Sequence, residues 1–274
     1  MEYIEQPSTT QVTINTQRWH IKRYGRGKTA YLGLHGWAGS HKTFEPFVQQ
    51  YLPPDSTFFA VDMPGYGKST FAKNTPTTIY NLAKSLAVII ERLCAMYNIP
   101  VITVVGYCAG AELVLFLAEH LGDRVERYVL LEAFTYVPGY WSFLGQTSCG
   151  NCVYRFLFEN GCGQWLMSRF VAQADPNTSM RDWFSQLDGD TTFLWLQMLT
   201  DKGYMNTDRL MVLKTVLESK KIDITFGTNS FSDIKHSAYL FAAVFPNVRL
   251  HEIESGHYPL IENAIVIADI LFSL

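Results

Sequence analysis

Short, continuous apolar runs alternate along this chain with longer stretches whose apolar positions recur every three to four residues. Val12 to Tyr24 predicts two polar-faced strands, and Thr29 to Leu34 a buried strand that ends abruptly at His35-Gly36. His41 to Leu52 follows as a helix stopped by Pro53-Pro54, then Thr57 to Val61 as a strand closed by Asp62-Met-Pro-Gly-Tyr-Gly. A long amphipathic helix, Thr78 to Tyr97, starts behind a threonine cap. Next come a strand from Val101 to Val105, a helix from Ala111 to His120 and a strand from Arg127 to Leu131. This alternation predicts an α/β fold, with a mostly parallel central sheet covered by helices on both faces.

The rhythm breaks after Glu132. It resumes with strands at Asp223 to Phe226 and Val248 to Ile253, each followed by a helix, Ser232 to Phe245 and Tyr258 to Leu274. The residues between hold 15 of the 39 aromatic side chains, including Trp141, Trp165, Trp183 and Trp195. So much apolar surface predicts a helical lid, not a solvated loop. The expected division is therefore a core of residues 1–133 and 221–274 and a lid insertion of residues 134–220. The lid aromatics have two readings: ordinary packing, or the wall of an apolar substrate tunnel.

Composition narrows the function classes. Charged residues make up 17% of the chain and the net charge is -3, so no basic footprint for nucleic acid or anionic membrane is present. The acidic, polar start MEYIEQPSTTQVTI lacks the basic and apolar regions of a secretory signal, and no apolar stretch approaches the roughly 20 residues that span a bilayer. These features predict a soluble cytoplasmic protein without nucleic-acid or membrane partners. Five cysteines, Cys94, Cys108, Cys149, Cys152 and Cys162, then include at least one free thiol. Cys149, Cys152 and Cys162 have no fourth ligand nearby and read as buried lid thiols; neither a metal nor a cofactor is expected.

Cys108 stands apart. It is the centre of Gly106-Tyr-Cys-Ala-Gly110, placed between a predicted strand and a predicted helix. Small residues at both ends let strand and helix approach while the central side chain is held out on a strained turn, at a helix N-terminus that favours thiolate. The bland alternative is a small buried residue in a tight turn. Three further segments stand in order around it: Leu34-His-Gly-Trp37, Asp62-Met-Pro-Gly-Tyr-Gly-Lys-Ser69 and Ser255-Gly-His-Tyr-Pro259 with Glu262 behind it. The ordered set resembles the α/β-hydrolases over nearly the whole chain, with cysteine at the usual serine position.

The resemblance implies Cys108 as nucleophile, His257 as its base, and an oxyanion hole from the backbone N–H groups of Trp37 and Ala109. It gives His35 a structural task in the loop. The sequence departs from the common pattern at the acid: Gly227-Thr-Asn-Ser230 puts Ser230 where family members usually carry aspartate. A second acid position known in the family, after the strand that follows the nucleophile, is Glu132 here. Glu132 is accordingly the expected acid, Asp233 the runner-up, and a Cys–His dyad the remaining option. Tyr107, Phe134 and Trp141 are expected in the substrate pocket. Gly65-Tyr-Gly-Lys-Ser69 ends like a phosphate loop, but Asp62 occupies the position of the required first glycine.

An S-acyl enzyme is more open to amines and thiols than an O-acyl one, so cysteine points to transfer or thioester exchange. The expected activity is that of a lidded thioesterase, acyltransferase or cyclase acting on a hydrophobic acyl thioester, carried on coenzyme A or on a carrier protein. Two alternatives stay open: a carboxylic-ester hydrolase, suggested by the His-Gly-Trp loop, and a non-catalytic ligand-binding member of the fold.

Overall fold

The computed structural model describes residues 8–14, 17–71, 77–134, 139–171, 188–201, 207–245 and 247–272. Trp183 and the end of the expected C-terminal helix lie outside them. Eight strands form one sheet: β1 (Ser8–Ile14), β2 (Gln17–Gly25), β3 (Thr29–Leu34), β4 (Ser56–Val61), β5 (Ile102–Tyr107), β6 (Val125–Leu131), β7 (Lys221–Gly227) and β8 (Val248–Ile253). Their spatial order is β1-β2-β4-β3-β5-β6-β7-β8. β1, β2 and β4 pair antiparallel, and the remaining pairs are parallel.

The inner strands are apolar throughout because both of their faces are buried. In β4, Phe59 and Val61 join the larger core on one side of the sheet while Phe58 and Ala60 join the smaller core on the other. β6 does the same, with Tyr128 and Leu130 against Val129 and Leu131. The period-2 alternation of side chains thus divides one apolar run between two cores.

The larger core is closed by α2 (Ile79–Tyr97), α3 (Ala109–Leu121), α8 (Thr207–Leu217) and α9 (Ser232–Val244), and the smaller by α1 (Glu45–Tyr51), α10 (Pro259–Glu262) and α11 (Ala264–Phe272). Thr78 caps α2 through its side chain, accepting from the N–H of Asn81. Two expected helices are subdivided. His41–Thr43 is a 3-10 turn capped by Ser40, and the α-helix proper starts at Glu45 with Pro46 in its first turn. The C-terminal helix breaks at Asn263 into α10 and α11. No helix among the described residues is long and apolar enough to cross a membrane.

Between β6 and β7 the described residues form α4 (Gly139–Gln146), α5 (Ser148–Glu159), α6 (Gly161–Val171) and α7 (Gly189–Thr200), followed by α8. Tyr154, Phe158, Phe193 and Leu196 make a small core of their own there. Against expectation, Cys149, Cys152 and Cys162 are exposed, while all five cysteines are free. Tyr154 and Phe158 of α5 and Phe193 of α7 fill the interior of this segment, and the three thiols stay outside it.

Candidate active site

Six adjacent parallel strands, β3 to β8, deliver the sequence-derived candidates to one edge of the sheet. Trp37, Cys108, Glu132 and His257 each lie beyond the C-terminal end of a strand, where open α/β sheets form their binding crevice. Cys108 links β5 to α3 with φ 49° and ψ -117°, a conformation outside the regions that L-residues favour. Its N–H donates to the Leu131 carbonyl (2.9 Å) and its carbonyl accepts from Ala111 (2.9 Å), which fixes the turn. Side chains on the flanking glycines would destroy it: a Cβ on Gly106 would collide with the Ala111 backbone, and one on Gly110 with the carbonyls of Leu34 and His35.

Glu132, just beyond β6, also has a positive φ, 55°, and is fully buried. Its N–H donates to Thr225 O (2.8 Å) across to β7. Oε1 accepts from the Gly227 N–H (2.7 Å), and Oε2 lies 3.0 Å from His257 Nδ1. Oε2 also accepts from the Ser230 hydroxyl. Asp233 instead takes a hydrogen bond from the Tyr140 hydroxyl (3.1 Å). The carboxylate facing His257 is therefore that of Glu132.

The loop carrying His257 is clamped on both sides. Glu262 accepts from the N–H groups of Gly256 (2.5 Å) and Tyr258 (3.2 Å), and the Tyr107 hydroxyl donates to the His257 carbonyl (2.7 Å). Tyr107, expected in the pocket wall, is buried beneath this loop with its ring against His257 and Tyr258. Burial works against a charge on the His257 imidazole, but hydrogen bonds with Cys108 and Glu132 outweigh it and raise its pKa to about 10. With Nδ1 turned to Glu132, the second ring nitrogen is the one that meets Cys108.

The His-Gly-Trp loop lies directly against the elbow. A methyl group on Gly36 would stand 3.3 Å from Cβ of Cys108 and 2.9 Å from the Tyr107 ring. His35, entirely buried, accepts at Nε2 from the Met63 N–H (2.9 Å), so Nδ1 donates to Gly36 O (2.7 Å). Burial drives its pKa down to about 4, which keeps the ring neutral in that tautomer. Ala109 opens α3, and its N–H is one of the four that an α-helix leaves without an internal partner. The Trp37 N–H enters no backbone hydrogen bond among the described residues. The Trp37 ring reaches out of the core to Trp141, Tyr154 and Phe158, and its Nε1 donates to Thr192 O (3.2 Å). Phe134 packs partly buried on the larger core beside the site.

Behind the loop, His20, His41 and Asp62 bring metal-ligating atoms within 4.8 Å of one another, all buried. The Asp62 carboxylate is already committed: Oδ1 accepts from the His41 N–H (2.5 Å) and faces His41 Nδ1 (2.9 Å), and Oδ2 accepts from the Lys68 N–H (2.9 Å). Burial opposes its charge, yet these bonds hold its pKa at about 2. The Lys68 bond also shows what the segment resembling a phosphate loop does: it wraps the carboxylate.

Two residues of this region carry roles that sequence reasoning did not assign. Ser230 was visible only as the occupant of an acid position; here it donates to the acid. Glu112, one turn along α3 from Cys108, is buried, takes the Phe134 N–H at one oxygen and finds no partner for Oε1 among the described residues. Burial, reinforced by Cys108, pushes its pKa well above the carboxylate range. Its signal in the sequence was an acidic residue inside the apolar run Ala109 to Leu117.

Comparison with known proteins places this architecture. The family profile described as alpha/beta hydrolase fold matches residues 32–148. A probable serine hydrolase of Drosophila melanogaster is 26% identical over 121 residues, which cover 44% of this chain and 34% of that protein. The chain thus matches only about a third of that relative's length. Among solved structures, a thermophilic esterase from Thermogutta terrifontis superposes with a TM-score of 0.73 at 16% identity, over 98% of this chain and 97% of that one. The thioesterase domain of the curacin biosynthetic pathway gives 0.66 at 13% identity, over 98% and 100%.

Proposed function

Starting from the α/β-hydrolase fold that this chain has, we propose that its site performs acyl transfer through a covalent S-acyl intermediate on Cys108. The observation that carries this reading is the hydrogen-bonded line Cys108–His257–Glu132, set on a strained elbow against the His-Gly-Trp loop. His257 takes the thiol proton, and Cys108 Sγ attacks the acyl carbonyl carbon. The N–H groups of Ala109 and Trp37 hold the resulting oxyanion. Collapse of the tetrahedral intermediate expels the alcohol or thiol, which leaves with the proton from His257, and the acyl group stays on sulfur. An acceptor that gives its proton to His257 then attacks the thioester and frees Cys108. Glu132 orients the imidazole and stabilises its cationic form.

A hydrophobic acyl thioester, carried on coenzyme A or a carrier protein, fits this chemistry best, with residues 134–220 as a lid and Trp141 and Phe134 lining the acyl pocket. Thioesterase, acyltransferase and cyclase outcomes differ only in the acceptor. The cytoplasm, where thiols stay reduced, suits the cysteine. The esterase likeness supports a second reading, hydrolysis of carboxylic esters at the same three residues.

Intact-protein mass after incubation with acyl thioesters and with simple esters tests the proposal. With the exposed Cys149, Cys152 and Cys162 replaced by serine, the expected result is a mass gain of one acyl group, formed faster with longer chains and absent when Cys108→Ala is added. A gain with esters alone selects the second reading. No gain from any donor, with saturable ligand binding, overturns both in favour of a binding protein.

A further inference from the structure

Ser230 and His257 meet the same carboxylate oxygen. Glu132 Oε2 faces His257 Nδ1 at 3.0 Å and accepts the Ser230 hydroxyl as well, while Oε1 is held by Gly227 N–H at 2.7 Å. The carboxylate is thus gripped at both oxygens by the turn 227–230. That turn is itself tied to the loop before His257: Thr228 N–H donates to Ile253 O (2.8 Å), Asn229 N–H to Ser255 O (2.9 Å), and Ser230 N–H back to Gly227 O (3.1 Å). Acid and base come from strands β6 and β8, and the β7 turn lies between them and bonds to both.

We propose that Ser230 is a positioning residue of the site: its hydroxyl fixes the Glu132 carboxylate in the rotation that aims Oε2 at His257. The assignment rests on the Cys108–His257–Glu132 reading of the site. The physical need for it follows from the geometry. A carboxylate on a freely rotating side chain points at an imidazole only part of the time, and here one backbone N–H at Oε1 fixes a single point. A second donor at Oε2 fixes the plane. Neither donor moves with the His257 ring, so the acid stays aimed while the base exchanges its proton with Cys108. The shared oxygen also makes the position testable by exchange, because an aspartate at 230 would place a carboxylate where the hydroxyl now stands, against the oxygen that faces His257 Nδ1.

The test uses protein in which Cys149, Cys152 and Cys162 are replaced by serine, since these exposed thiols would otherwise react. Two readouts are needed. The first is titration of His257 by NMR of histidine-labelled protein, which requires no substrate. The apparent pKa of His257 is expected on the order of one unit lower in Ser230→Ala than in wild type, and restored in Ser230→Thr. The second is the rate of S-acylation, expected to fall about 10- to 100-fold in Ser230→Ala. Glu132→Gln combined with Ser230→Asp should recover at least tenfold, roughly, over Glu132→Gln alone.

A Ser230→Ala protein with unmoved His257 titration overturns the assignment, as does a double variant no faster than Glu132→Gln. If no acyl donor modifies wild type, the acyl-transfer reading fails, and the NMR titration still decides whether Ser230 positions Glu132.

Discussion

His35 and His257 stand beyond the C-terminal ends of two parallel strands of one sheet, the first fully buried and the second largely so, and the fold drives them in opposite directions. Burial disfavours the charged ring in each. For His35 nothing overrides it: the ring faces one backbone donor and one backbone acceptor, a set that only neutral imidazole satisfies, and its pKa falls to about 4. For His257 a carboxylate and a thiol face the two nitrogens, and the pKa rises to about 10. Desolvation of similar kind therefore yields a rigid strut in one place and a proton carrier in the other, with the neighbours deciding which.

The sharpest way to break this contrast is to remove the partners of the carrier. His257→Ala should slow S-acylation of Cys108 by roughly 10³-fold and Glu132→Gln by roughly 10²-fold, measured by quenched-flow mass spectrometry. Asp233→Asn should stay within about twofold, because Asp233 serves Tyr140. A larger loss in Asp233→Asn than in Glu132→Gln would move the acid from β6 to α9 and undo the account of His257.

The strut should fail differently. His35→Ala leaves the Met63 N–H and the Gly36 carbonyl buried without their partner, and unfolding in urea should show a loss of about 2–4 kcal/mol. Wild-type activity at saturating substrate but unchanged stability would show that the loop holds itself and that His35 is dispensable to it.

Stability against pH separates the two rings by sign. The unfolded state protonates His35 near pH 6.5 and the native state only near 4, so stability present above pH 6.5 is lost as the pH falls toward 4. For His257 the native state keeps the proton longer: stability present below pH 6.5 is lost as the pH rises toward 10. His35→Ala should flatten the acid slope and leave the alkaline one; Cys108→Ala, which removes one of the two groups that raise His257, should do the reverse. Equal effects on both slopes would mean that neither ring is their source.

How much of this was legible beforehand depended on distance along the chain. Strands and turn motifs are local: an apolar run followed by His35-Gly36, Asp62 or Gly106-to-Gly110 announces a strand end by itself, and the sheet then collects those ends on one edge. Glu132 could be read because a carboxylate closing a buried strand requires a partner. What stayed hidden was pairing across the sheet. Ser230 lies 98 residues from Glu132, and its hydroxyl reaches it only through the register of β6 on β7. Tyr107 looked like pocket wall because its bond to the carbonyl of His257 joins residues 150 apart. The aromatic density of the segment after β6 suggested buried cysteines, but which helix face turns inward is set by what the neighbouring helices present.

Glu112 extends the comparison to a carboxyl group, with the smallest expected effect. Glu132 is buried and meets three donors; Glu112 is buried one turn from the same cysteine, takes one N–H and has an oxygen with no partner among the described residues. Burial first, and Cys108 second, therefore favour its neutral acid form. The native state holds this proton above the pH at which the unfolded chain releases it, near 4.3, so Glu112 contributes stability below that pH and loses it as the pH rises. Glutamine keeps the shape and cannot ionise. Glu112→Gln should accordingly be more stable than wild type in urea at pH 8, with the difference vanishing below about pH 4. The other titrating groups are common to both proteins and cancel from the difference. A gain that persisted at pH 4 would trace to packing, and a loss at pH 8 would mean that Glu112 is charged and partnered.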